Sequence, residues 1–128
     1  MRTKRLTHVA MGVPRGTLTD DYRRAVLDFY GELFGWREIT ELSNEERMTI
    51  ATGGGSYVNV REHDGAVPME YEHFGVEVSS LDEVHAVAAQ ARAAGVEPDP
   101  LGEPILGVVT LRIRHLLPMA IEVQNLPQ

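Results

Sequence analysis

The chain contains no cysteine among its 128 residues. This absence excludes disulfides, zinc sites built on thiolates, and thiol nucleophiles. Any metal that the protein binds must therefore be held by nitrogen and oxygen ligands.

Clustered positive charge is also scarce. The chain has 12 Lys and Arg against 19 Asp and Glu, which gives a net charge of −7. Affinity for nucleic acid depends mainly on clustered Lys and Arg, and the basic residues within positions 1–5 are too few to supply it. We expect no nucleic-acid partner.

Long apolar runs are missing as well. The stretch 6–13 is interrupted by His8 and Gly12, so it is neither a signal segment nor a membrane span. We therefore expect no membrane partner and a cytoplasmic location. The glycines at 53–55 precede no Lys-Ser/Thr pair and no helix, which predicts a turn and not a phosphate loop.

What the chain does contain is one pattern written twice. His8-Val-Ala-Met-Gly-Val13 and His73-Phe-Gly-Val-Glu-Val78 each open a strand with a histidine. Each copy is followed by a turn and by an amphipathic helix that ends at glycine. Later in each half comes a strand with one polar residue between two aliphatic ones. That polar residue is Asn59 in the first half and Glu122 in the second (8 to 59 is 51 positions, 73 to 122 is 49). Corresponding points of a duplicated unit thus carry two histidines, one carboxylate and one amide.

Capping and periodicity predict the other elements. Thr19 and Gly35 bound a helix over 20–34, and Ser80 and Gly95 bound a second helix that carries Leu81 on its apolar face. The remaining strands are predicted at 36–42, 47–52, 57–61, 96–99, 108–114 and 119–124.

These elements predict an α+β fold of two βαβββ modules that form one curved mixed sheet with the helices on its convex side. With 43% hydrophobic and 24% charged residues, the chain suits a single domain over 1–128. Module 1 covers about 6–61, a polar connector covers 62–69, and module 2 covers about 70–124.

The strand period of two predicts which side chains share a face. If the aliphatic residues of these strands face the helices, then His8, Asn59, His73 and Glu122 point into one concavity. A buried carboxylate such as Glu122 needs a cation, protonation or water, because an uncompensated buried charge costs several kcal/mol. Two imidazoles and one carboxylate suit Fe(II), Mn(II), Ni(II) or Zn(II), and no organic cofactor is implied. Candidate substrate-binding residues around this site are Trp36, Tyr57, Arg61, Arg112 and Gln124.

The chain resembles the vicinal oxygen chelate superfamily of glyoxalases, bleomycin-resistance proteins and extradiol dioxygenases. The resemblance rests on His8, on Phe29-Tyr30 with Leu33-Phe34-Gly35 at the helix end, on His73, and on Glu122 within Ile121-Glu-Val123. It implies that His8, His73 and Glu122 bind a divalent metal, with Asn59 at a possible fourth position where glyoxalase-type and epimerase-type relatives usually have Glu or Gln. The chain departs from many relatives before the last strand, where it has His115-Leu-Leu-Pro-Met119 and not an Asp-Pro-x-Gly turn.

The resemblance also implies function. We expect a metal-dependent enzyme acting on a small organic substrate that chelates the metal through adjacent oxygens, with Glu122 and His115 as candidate catalytic residues. Lyase or isomerase, dioxygenase and transferase chemistry stay open. The alternative is a metal-free dimer that sequesters a planar small molecule between aromatic side chains such as Trp36, Tyr57 and Tyr71, and a regulatory subunit that keeps only the fold is a third reading. A homodimer is expected in either of the first two cases.

Overall fold

A computed structural model describes residues 3–100 and 102–126. The chain divides into two compact units between Val67 and Pro68, which lies inside the predicted connector 62–69. Within the described residues, no helix is both long and apolar enough to cross a membrane. In the described part of the chain each unit holds one α-helix and one mixed sheet, and this confirms the α+β class.

The first unit contains four strands around helix α1. They are β1 (His8–Val13), β2 (Arg37–Glu38), β3 (Arg47–Gly53) and β4 (Ser56–Glu62), while α1 covers Asp20–Phe34 and a short 3₁₀ helix covers Thr40–Leu42. The sheet order is β1-β4-β3-β2, with β1 parallel to β4 and the other pairs antiparallel.

Local chemistry explains why α1 has the predicted bounds. The Thr19 hydroxyl accepts a hydrogen bond from the Tyr22 backbone N–H, and two aspartates in the first turn favour the positive end of the helix dipole. Gly35 ends the helix in the left-handed conformation, with φ of 73°, and its N–H donates to the Gly31 carbonyl. The buried face of α1 consists of Val26, Phe29, Tyr30 and Leu33.

The predicted strand 36–42 forms over only two residues. Beyond Glu38 the chain turns into the 3₁₀ helix, because short polar side chains bind its backbone. The Ser43 hydroxyl donates to the Ile39 carbonyl at 3.0 Å, and the Thr49 hydroxyl donates to the Leu42 carbonyl at 3.0 Å. The chain therefore leaves the sheet where the sequence predicts that it continues.

The hairpin between β3 and β4 turns through three consecutive glycines. Gly53, Gly54 and Gly55 have φ values of 99°, 60° and 82°, which other residues rarely adopt. This turn sets the register that places Thr49 opposite Asn59.

The second unit contains three assigned strands and helix α2. They are β5 (His73–Glu77), β6 (Thr110–Ile113) and β7 (Ala120–Gln124), and α2 covers Leu81–Ala93. The sheet order is β5-β7-β6, with β5 parallel to β7 and β6 antiparallel to it. Within residues 3–100 and 102–126, the strands thus hydrogen-bond as two sheets of four and three strands, one in each unit.

Helix α2 begins with a reciprocal cap. Ser80 accepts from the Glu83 N–H, while the Glu83 carboxylate accepts from both the N–H and the hydroxyl of Ser79. These bonds lower the pKa of Glu83, with the Ser79 hydroxyl as the largest cause. The prediction that Leu81 lies on the apolar face of this helix is wrong, because Leu81 is 43% exposed at the helix start. The buried face consists of Val84, Val87, Ala88 and Ala91.

The strand predicted at 96–99 is not assigned as a strand. Between the described residues of this region and β6 there are two backbone bonds, from Asp99 N–H to the Arg112 carbonyl at 2.9 Å and from Gly102 N–H to the Thr110 carbonyl at 3.4 Å. Pro98 and Pro100 flank Asp99 and have no N–H to donate, so a regular ladder cannot form.

Candidate metal centre

The two copies of the histidine pattern are confirmed as equivalent in strand pairing. His8 lies opposite Tyr57, two residues before Asn59, and His73 lies opposite Ala120, two residues before Glu122. In both cases the histidine opens a parallel pair whose other strand carries the polar residue. The sequence repeat is therefore a repeat of register.

His73 and Glu122 are brought together in the second unit. His73 Nε2 lies 3.4 Å from Glu122 Oε1, and the two side chains are 32% and 16% exposed. The Nδ1 atom of His73 lies 2.9 Å from the carbonyl oxygen of Tyr71. Since a carbonyl only accepts, the neutral ring carries its proton on Nδ1 and presents the lone pair of Nε2 to Glu122.

This arrangement fits a divalent metal. A hydrogen bond from one ring nitrogen to a carbonyl orients the other nitrogen as a ligand. Imidazole nitrogen and carboxylate oxygen are donors that divalent transition metals bind, and a separation of 3.4 Å would allow one ion to contact both atoms. The donor pair is therefore of the right kind and at a suitable separation.

His8 has a similar local environment in the first unit. Its Nδ1 lies 2.9 Å from the Thr7 hydroxyl, and its ring stacks on Tyr57 with centroids 4.7 Å apart and an angle of 2° between the planes. Over residues 3–100 and 102–126, no group of three or more His, Asp or Glu side chains is arranged to hold a metal ion. That His8 joins His73 and Glu122 in a metal site therefore stays a prediction.

Arg112 compensates the charge of Glu122. The two residues are paired across β6 and β7, and Arg112 Nη2 donates to Glu122 Oε1 at 2.5 Å. The sequence leaves three ways to accommodate this carboxylate: a cation, protonation or water. The structure provides a cation, the guanidinium of Arg112.

Asn59 lies on the predicted face of β4, where its side chain has a partner. The Thr49 hydroxyl donates to Asn59 Oδ1 at 2.6 Å, and Thr49 is 1% exposed. The amide oxygen Oδ1 is the atom through which Asn59 could ligate a metal, and this hydrogen bond uses one of its two lone pairs. Sequence reasoning missed Thr49, although a hairpin centred on the glycine turn would have placed it opposite Asn59.

The candidate substrate-binding residues fall into different environments. Trp36 is 5% exposed and packs against Tyr30 and Phe34, with ring centroids 5.5 and 5.1 Å apart, so its predicted role as a ligand-stacking residue is wrong. A buried ring offers no face to a ligand. Tyr57 is half-buried beneath His8, and Arg61 is exposed.

Two further candidates lie in the second unit. Gln124 shares a face of β7 with Glu122, and its amide donates to the Thr110 hydroxyl at 3.1 Å. His115 is half-buried in the turn before β7, and burial lowers the pKa of its imidazole. Its suggested catalytic role stays a prediction.

Comparison with known proteins identifies the family. The model of the Glyoxalase/Bleomycin resistance protein/Dioxygenase superfamily matches residues 5–101, and the chain belongs to this superfamily. No curated protein matches the chain by sequence.

Solved structures share the fold. A glyoxalase family protein from Bacillus anthracis superposes with a TM-score of 0.72 at 22% identity, over 97% of this chain and 98% of that one. The fosfomycin resistance protein FosX from Listeria monocytogenes, as a mutant complexed with Mn(II) and 1S,2S-dihydroxypropylphosphonic acid, gives 0.70 at 19% identity over 97% and 91%. A glyoxylase/bleomycin resistance protein/dioxygenase domain from Frankia sp. EAN1pec gives 0.68 at 19% over 96% and 92%.

Proposed function

We propose that the protein is a divalent-metal-dependent enzyme of the glyoxalase and dioxygenase type, acting on a small organic substrate that chelates the metal through adjacent oxygens. The observation that carries this proposal is the pair formed by His73 Nε2 and Glu122 Oε1, 3.4 Å apart, with the tautomer of His73 set by the Tyr71 carbonyl. Membership of the superfamily and the Mn(II) complex of FosX support a metal of this class.

In this proposal His73 and Glu122 hold the metal and His8 is the third ligand, from the same chain or from a second copy. The metal would be Fe(II), Mn(II), Ni(II) or Zn(II), and when bound it would act as a Lewis acid toward the substrate oxygens. Glu122 and His115 are the groups proposed to hold or move a proton. Burial lowers the pKa of His115 and so favours its neutral form, which is the form that accepts a proton.

Metal analysis tests this proposal. Protein purified without tag or chelator, and reconstituted anaerobically with each metal, should hold about one metal per chain by mass spectrometry. His73→Ala and Glu122→Gln should lose it. His85→Ala is the matched control, because it removes an exposed imidazole from the surface of α2.

His8→Ala asks a separate question. If His8 is the third ligand, this variant should bind the metal at least tenfold more weakly than the wild type. His63→Ala, which removes an exposed imidazole from the same unit, is its control. Unchanged affinity in His8→Ala would remove His8 from the ligand set, and an empty wild type after every reconstitution would end the enzyme proposal.

A metal-free binding protein is the second candidate, and one observation favours it. The ion pair between Arg112 and Glu122 neutralises the carboxylate without a metal. In the first unit the parallel stack of His8 on Tyr57 offers an aromatic surface to a planar ligand, and in the second unit the 83% exposed ring of Tyr71 offers another. Stoichiometric ligand binding that persists in excess EDTA would favour this candidate, and loss of binding on chelation would favour the enzyme.

A further inference from the structure

Two groups approach the same oxygen of Glu122. Arg112 Nη2 donates to Oε1 at 2.5 Å, and His73 Nε2 lies 3.4 Å from that atom. On the other side of β7, Glu122 is paired with Gly75, which has no side chain to offer. Arg112 is thus the cation that the strand ladder supplies to this carboxylate.

The charges of these three groups make metal binding electrostatically unfavourable. A metal binds only the neutral form of an imidazole, and with His73 in that form, anionic Glu122 and cationic Arg112 sum to zero. A divalent ion held by His73 and Glu122 would share the carboxylate with the guanidinium, and the local charge would become +2. A guanidinium and a divalent ion repel each other at such short range, and both draw on the negative charge of one oxygen.

The geometry points to a specific role for Arg112, on the condition that the metal site of the proposed function exists. We propose that Arg112 competes with the metal for Glu122, and that when the metal binds, its guanidinium turns to an anionic group of the ligand. A planar guanidinium suits two oxygens of a carboxylate, phosphonate, phosphate or sulfate. The substrate class is then a small organic acid whose charged group lies near its two chelating oxygens.

This role makes metal binding and anion binding mutually dependent. The anion restores the charge balance that the metal disturbs, so each should strengthen the other by the same factor. Removing Arg112 should end its competition with the metal for Glu122. It should also end the mutual dependence of metal binding and anion binding. A residue that merely held Glu122 in position would have the opposite effect, because its loss would weaken metal binding.

Mn(II) titrations followed by the EPR signal of free Mn(II) test the proposal without any assay of activity. The proteins are the wild type, Arg112→Met, Arg112→Lys, and the control Arg92→Met, which removes an arginine whose partner is the exposed Glu97. Each is titrated in chloride and in sulfate at equal ionic strength. In chloride, Arg112→Met should bind Mn(II) about five- to twentyfold more tightly than the wild type, a range typical of coupled sites.

Sulfate is the probe for the anion site. It should tighten Mn(II) binding at least threefold in the wild type, in Arg92→Met and, more weakly, in Arg112→Lys, which keeps the charge but not the two-oxygen geometry. It should have no such effect in Arg112→Met. Circular dichroism establishes that each variant is folded, and Arg112→Gln replaces Arg112→Met if the latter is not.

The outcomes separate this proposal from the proposed function. Equal or weaker Mn(II) binding in Arg112→Met overturns the competition, and a sulfate effect that survives in Arg112→Met overturns the anion site, while the metal site itself stands in both cases. Mn(II) binding by Arg112→Met but not by the wild type supports the competition in its strongest form. Absence of binding in every protein overturns both proposals.

Discussion

The hydrogen bond between Thr49 and Asn59 can be measured with a double-mutant cycle. Thr49→Val removes a hydroxyl that is 1% exposed and whose single proton is shared between two acceptors, Asn59 Oδ1 at 2.6 Å and the Leu42 carbonyl at 3.0 Å. Valine has nearly the same shape, so no large cavity opens, and the cost comes from acceptors left without a donor. We expect the free energy of unfolding to fall by about 1–3 kcal/mol.

The reverse substitution should cost less. In Asn59→Leu the Thr49 hydroxyl keeps the Leu42 carbonyl as acceptor, and Asn59 is only half-buried. In the double variant both partners are apolar, so the unpaired Asn59 oxygen is gone. The double variant should therefore be less destabilised than the sum of the single variants, by a coupling energy of about 1 kcal/mol.

Urea denaturation followed by circular dichroism gives the four free energies. Thr52→Val is the matched control, because its half-exposed hydroxyl contacts Ser56 near the hairpin turn, and it should change stability by less than about 0.5 kcal/mol. A coupling energy below about 0.3 kcal/mol would show that the two side chains act independently. The reasoning that assigns the Asn59 oxygen to Thr49 would then be refuted, and Asn59 would return as a possible fourth ligand.

Three other substitutions test the first unit. Arg23→Met should lower the free energy of unfolding by about 2–3 kcal/mol, because the guanidinium donates to the carbonyls of Asn44 and Glu45 at 2.6 and 3.1 Å; urea denaturation measures this. Gly35→Ala should cost about 1 kcal/mol, since φ of 73° strains any residue with a Cβ, as thermal unfolding would detect. Glu62→Gln should reduce the loss of stability on acidification, measured by urea midpoints from pH 7 to 3.

The sign of the pH effect follows from the cause of the pKa shift. Hydrogen bonds from the backbone N–H groups of Leu18 and Gly16 lower the pKa of Glu62. A carboxyl with a lowered pKa in the folded state stabilises the protein above its unfolded pKa of about 4.3, and this contribution is lost as the pH falls through the folded value. Glu103→Gln makes the same charge change at an exposed site. Identical acid profiles for wild type and Glu62→Gln would contradict the assignment.

The control for Arg23→Met lies on the same helix. Arg24→Met removes an exposed arginine next to Arg23 and should be nearly neutral. A similarly small effect of Arg23→Met would mean that its carbonyl contacts contribute little. For Gly35, greater stability of the alanine variant would contradict a left-handed helix end.

The elements predicted correctly from sequence are those whose ends have their own local chemistry. Helix α1 has the predicted bounds because Thr19 caps one end and Gly35 the other, and both act within one turn of the chain. The equivalent registers of the strand that begins at His8 and the strand that begins at His73, each beside the strand with its polar residue, followed from an internal repeat, which needs no knowledge of tertiary contacts.

The errors arose where contacts distant in sequence decide the outcome. The strand 36–42 breaks because Thr49, from the next strand, binds the Leu42 carbonyl. Trp36 looked like a stacking residue but lies against Tyr30 and Phe34 in the core. The Arg112 partner of Glu122 depends on the register of the β6–β7 hairpin, and the 115–119 segment between them follows no pattern that fixes this register from sequence.

The glycine turn at 53–55 should tolerate few substitutions although it lies at the surface. Its residues are exposed, yet each has a positive φ that side chains disfavour, and the first of them lies at a register shift between β3 and β4. Slippage of this hairpin by one residue would exchange the two faces of a strand and turn Asn59 toward the core. In a saturation scan of the chain, this surface loop should accept fewer substitutions than many half-buried positions of the sheets.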